Sequence, residues 1–78
     1  MGATRSNQSY DTMSPNMRRT WMFVDRKPMN YDEGQALYAY LSSDECYGEW
    51  LSQTIAPNII RMGFSDAPTA MGFKLKFG

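Results

Sequence analysis

The sequence predicts a small single α+β domain, β-α-α-β in order, with a two-stranded sheet packed by helices and open to extension by a partner. Three observations carry that expectation. An aromatic and β-branched run over residues 19–26 reads as a strand. Two capping signatures, Asn30 with Glu33 and Ser42 with Glu45, stand ahead of apolar residues at helical spacing. Residues 73–77 alternate between Phe or Leu and Lys, the pattern of a half-buried strand.

In chain order, residues 1–17 are rich in Ser, Thr, Asn and Gln, lack a hydrophobic period, and read as a flexible polar tail ahead of a domain at 18–78. The first strand puts Thr20, Met22 and Val24 on one face and Trp21, Phe23 and Asp25 on the other. Apolar on both faces, it suits a position covered from both sides. Asn30 accepting from the backbone and Glu33 reaching back start a helix over residues 31–41. Leu37, Tyr38 and Leu41 form its apolar stripe, and Gly34 weakens its first turn. Ser42 opens a second helix carrying Tyr47, Trp50, Leu51 and Ile55; Pro57 interrupts it, and Gly63 ends a short continuation through Met62. Residues 65–70 form a loop around Pro68. The closing strand turns Phe73, Leu75 and Phe77 inward and Lys74 and Lys76 outward, where lysines guard a sheet edge. Two strands alone are marginal, so pairing with a second copy, as a homodimer, or with a partner's sheet is expected.

The chain of 78 residues is short enough that burial on folding is limited. Leu, Ile, Val and Phe together number twelve, and seven Met, five Tyr and two Trp supply much of the remaining apolar volume. Met fills irregular gaps and suits adaptable binding surfaces, so a thin core that gains from a partner is expected. Cys46 is the only cysteine, which rules out an internal disulfide and points to a reducing, cytoplasmic setting, host cytoplasm for a viral protein. No apolar run is long enough for a membrane span and no leader-like apolar segment stands near the start.

Charge is segregated although the formal sum is zero. Residues 29–53 hold Asp32, Glu33, Asp44, Glu45 and Glu49 with no Lys or Arg, and both flanks are basic. Such asymmetry points to a partner or to an internal match. Tyr31, Tyr38, Tyr40, Tyr47 and Trp50 lie in the same acidic stretch, and Tyr and Trp are favoured at interface hot spots. The expected function is therefore a small non-enzymatic protein-interaction module of the viral or phage accessory and inhibitor kind. Asp44, Glu45, Glu49, Tyr40 and Tyr47 are its expected partner-binding residues. The bland reading, a Tyr stripe completing a small core, weighs about as much.

The alternative is single-stranded nucleic-acid binding through a basic and aromatic sheet. Arg18, Arg19, Trp21, Phe23, Arg26 and Lys27 interleave cations with stacking rings, and Lys74 and Lys76 are expected on the neighbouring strand. Against this stands a pI near 6.1.

Catalytic equipment is sparse. With no His, acid–base work falls to carboxylates, Tyr or Lys, and the adjacent acids Asp32/Glu33 and Asp44/Glu45 are explained as helix-start residues. No nucleotide-binding glycine spacing, no calcium loop and no zinc-ligand set is visible, so no cofactor and no metal are expected. The first six residues, MGATRS, match the short acylation pattern M-G-x-x-x-[ST], and Arg5, Arg18 and Arg19 supply basic charge nearby.

Overall fold

Asn30 caps the helix that follows its sequence signature most closely. Its side chain accepts from the Glu33 amide at 2.8 Å, while the Glu33 carboxylate accepts from the Asn30 amide at 3.2 Å. The computed structural model describes residues 2–78. Met1, which opens both the expected tail and the acylation pattern, lies outside the described residues. The elements are β1 (Thr4–Arg5), α1 (Pro15–Thr20), β2 (Met22–Arg26), α2 (Tyr31–Leu41), β3 (Glu49–Ala56), β4 (Ile59–Phe64) and α3 (Ala67–Phe77), with one turn of 3-10 helix at Tyr10–Thr12. The domain is α+β, with a four-stranded mixed sheet in the order β1-β3-β4-β2 instead of two strands. β1 runs parallel to β3, and the other pairings are antiparallel.

Two predicted elements change type, each for a visible reason. The second helix is replaced by the β3–β4 hairpin. Gly48 takes a φ of +75°, which stops any helix between Tyr47 and Trp50. Pro57 and Asn58 then form a two-residue connection between Ala56 and Ile59, which pair across it. Neither has positive φ, and the ladder is irregular between Thr54 and Ala56. An unprimed turn twists against its strands, and the irregularity absorbs the mismatch. Gly63, read as a helix stop, sits inside β4. A Cβ there would come within 2.8 Å of the Phe23 ring and 3.1 Å of Leu51 Cγ, so glycine lets those side chains close over the strand.

The closing strand is a helix. Asp66 caps α3, accepting from the Thr69 amide at 3.1 Å and the Thr69 hydroxyl at 2.8 Å, with Pro68 in the first turn. Ala70, Phe73 and Phe77 then face the core at helical spacing, and Leu75, expected inside, is 87% exposed. Lys74 and Lys76 fall in the last turn, where cations suit the helix dipole. Nothing in residues 72–78 is β-branched, so the apolar–Lys alternation had no backbone preference behind it. The strand pairing expected of this segment is therefore unavailable. The first predicted strand is shortened: Arg19 and Thr20 belong to α1, and β2 starts at Met22.

Side-chain alternation gives the sheet two coats. On one face Trp50, Met62 and Phe64 meet Leu37, Tyr40 and Leu41 of α2, Ala70 and Phe73 of α3, and Cys46. Cys46 is buried, with its thiol 3.1 Å from the Tyr40 carbonyl oxygen. On the other face Leu51 joins Met13 and Trp21, with Met17 and Phe23 at the margin. Residues 2–17, expected as a tail, supply much of this second coat. The Thr4 amide donates to the Gly48 oxygen at 2.8 Å, the Ser6 amide to the Trp50 oxygen at 2.7 Å, and Met13 is buried. Polar residues hide this docking from a hydrophobicity reading, because backbone bonds, Met13 and Met17, and the Tyr10 ring against Phe23 carry it without a period. Among the described residues no helix is long and apolar enough to cross a membrane.

Candidate functional site

The acidic stretch, residues 29–53, folds as α2, the loop after it and the first part of β3. Ser42, expected to cap a helix, is the C-cap of α2, so Asp44 and Glu45 stand in a loop and Glu49 begins a strand. All three acids are exposed. Glu45 and Glu49 form no ion pair among the described residues. The loop is pinned from beneath: the Cys46 amide donates to the Ser43 oxygen, the Tyr47 amide to Thr69 Oγ1 at 3.1 Å, and the Glu49 amide to Ser65 Oγ at 2.8 Å. Its backbone is held, Cys46 is buried beneath it, and the Asp44, Glu45 and Tyr47 side chains are exposed.

The tyrosines divide. Tyr40, an expected partner-binding residue, is core: its hydroxyl donates to the Thr69 carbonyl at 3.0 Å and its ring lies against Phe77. Burial pushes its pKa up to about 12, aided by the neighbouring Cys46 thiol. Tyr47 is 57% exposed, and so is Tyr38, which was assigned to the apolar stripe. Tyr31 is 78% exposed. The stripe on α2 is Leu37, Tyr40 and Leu41, one position out of phase with the expectation at Tyr38. Tyr38 meets the Trp50 ring edge-on at 6.1 Å, and the Arg5 guanidinium lies 5.4 Å from the centre of the same indole. Tyr31, Tyr38 and Tyr47 are thus exposed on α2 and on the loop that follows it. Tyr38 was the residue missed, and its signal was the polar Gln35 and Ser42 on the same helical line.

The residues of the nucleic-acid alternative are dispersed. Trp21 is buried beside Met13 and Leu51, and Phe23 lies under Tyr10, the rings 5.0 Å apart and nearly perpendicular. Arg18 donates to the Tyr10 carbonyl at 2.9 and 3.2 Å, and Arg19 bonds Asn16. Arg26 pairs with Glu33 at 3.0 Å and donates to the Phe77 carbonyl. Lys27 is exposed after β2, and Lys74 and Lys76 are on α3, not on a neighbouring strand. Lys76 lies 5.2 Å from the Tyr40 ring centre. Those cations are largely used within the fold.

A second charged group covers the opposite sheet face. The guanidinium groups of Arg18 and Arg61 lie 4.5 and 4.7 Å from the centre of the Tyr10 ring. Arg61 donates to both Asp25 oxygens at 2.7 and 2.8 Å. That fork holds the Asp25 carboxyl below its ordinary range, and Asp25 in turn raises Arg61. The Asn30 amide, and then Arg26, lower Glu33 in the same sense. These contacts fasten the N-terminal coat and β2. Among the described residues no group of three His, Cys, Asp or Glu is placed to hold a metal. Compared with protein-family models, curated proteins and solved structures, the chain matches none of them.

Proposed function

We propose that the protein is a small non-enzymatic interaction module that docks a basic protein surface through the loop acids Asp44, Glu45 and Glu49 with Tyr47 and Tyr38. One observation carries this reading: three tyrosines of the acidic stretch, Tyr31, Tyr38 and Tyr47, are more than half exposed, and Glu45 and Glu49 are exposed with no ion pair among the described residues. Exposed aromatic rings contribute little to folding and much to an interface, where they become desolvated anchors. Acids around them steer a basic partner and speed its association. Tyr40 belongs to the core and drops out of the proposed set. The size and make-up fit an accessory or inhibitor protein of viral or phage type acting in a reducing compartment.

The test is capture. Immobilised protein incubated with lysate of its source cells should enrich a discrete partner, identified by mass spectrometry. Asp44→Lys, Glu45→Lys and Glu49→Lys together should abolish enrichment without altering the fold. Enrichment that survives all three reversals contradicts the reading.

A further inference from the structure

β2 is the outer strand of the sheet and its far edge pairs with no strand among the described residues. α3 runs beside it, packing near Met22 at one end and, through the Phe77 carbonyl, against Arg26 at the other. Between them lies a cavity of about 290 Å³ lined by Met22, Phe23, Val24, Ala70, Met71 and Lys74. Met22 and Met71 are exposed. No proline interrupts the edge before Pro28. Natural sheet edges are usually blunted by charge, proline or a covering element, and Met22-Phe23-Val24 has none of these on its outer side.

One cation stands in the wall of the groove. It is Lys74, which forms no ion pair among the described residues. We infer that this groove accepts an extended peptide that adds a fifth strand to β2, with an apolar side chain in the cavity and a carboxylate two positions away facing Lys74. Strand addition supplies backbone hydrogen bonds, and residues two apart on the added strand share the α3 side. The charge of the rim selects this occupant over a second copy. A two-fold pairing of β2 with itself would put both α3 helices on one side of the joint and bring the two Lys74 ammonium groups together. The surface is distinct from the acidic one and of opposite charge, so each can be tested without the other.

The probe is a fluorescein-labelled heptapeptide of threonines carrying one leucine and one glutamate two positions apart, with a lysine-for-glutamate counterpart as control. Fluorescence polarisation should show saturable binding of the glutamate peptide, about fivefold tighter than the control, the scale of one surface ion pair. Lys74→Glu should reverse that preference. Amide shifts on titration should concentrate at residues 22–26 and 70–75. Absence of binding up to millimolar peptide, binding indifferent to charge, or shifts confined to other residues each overturns the proposal. So does a concentration-dependent dimer that occupies β2 in the free protein.

Discussion

Tyr38 and Tyr40 stand two residues apart on α2 and belong to regions that use aromatic rings differently. Tyr40 ends in the core, its hydroxyl on Thr69 and its ring among Phe77 and Phe73, which themselves pack within 5.5 Å of each other. Tyr38 and Tyr47 are each more than half exposed. In the interior each large side chain has several partners, so geometry and composition are tied together. On the outer surface the fold sets the backbone and leaves the side chains with few contacts. The difference teaches that the exposed tyrosines contribute less to folding than Tyr40 does, which is why the proposed interface rests on them.

The comparison is sharpest where the interior is cut. Phe73 is fully buried, stacked between Phe64 and Phe77. Phe73→Ala should cost about 3–5 kcal/mol, enough to unfold much of a small domain, read by urea denaturation. A loss below about 1 kcal/mol would mean the helical coat is not the principal core.

Next in size comes the N-terminal coat. Removing residues 1–14 takes away β1, Met13 and Tyr10 and uncovers Trp21 and Leu51. The expected loss is roughly 2–4 kcal/mol. A melting temperature unchanged by the deletion would restore the mobile tail read from composition.

A smaller effect tests Tyr40 alone. Tyr40→Phe removes the hydroxyl and leaves the Thr69 carbonyl short of a donor, costing about 1 kcal/mol. Because the folded pKa is raised toward 12, the contribution of the neutral phenol is complete below about pH 10 and lost as pH rises toward 12. Melting curves between pH 9 and 12 should fall for the natural protein and flatten in Tyr40→Phe. Equal alkaline slopes would contradict the burial of this hydroxyl.

The legible parts of the chain were those where local chemistry and tertiary packing agree. Asn30 with Glu33 marked α2, and the Phe23–Val24 run marked β2. The hairpin was misread because Tyr47, Trp50, Leu51 and Ile55 fit helical spacing as well as they fit a strand; Gly48 and Pro57-Asn58 were the stronger signals. The segment 73–77 satisfied a period of two, yet the Asp66 and Pro68 start and the absence of β-branched residues favoured the helix. Docking of residues 2–17 rests on backbone bonds to β3, on Met13 and Met17, and on the Tyr10 ring, which leave no periodic trace. For the candidate surface, the loop acids and Tyr47 were visible as a charge block. Which of Tyr38 and Tyr40 faces outward was not, since one step of helical phase decides it and both flank the Leu37 and Leu41 stripe.

The smallest stability effect carries the largest functional one. Tyr31→Ser, Tyr38→Ser and Tyr47→Ser in one chain should alter unfolding free energy by no more than about 1 kcal/mol, most of it from the Tyr38 contact with Trp50. The same chain should lose capture of the partner that the natural protein enriches. Stability and capture measured side by side on this triple variant decide the matter. Intact folding with lost capture is the predicted result, and intact capture, or unfolding beyond about 3 kcal/mol, would contradict it.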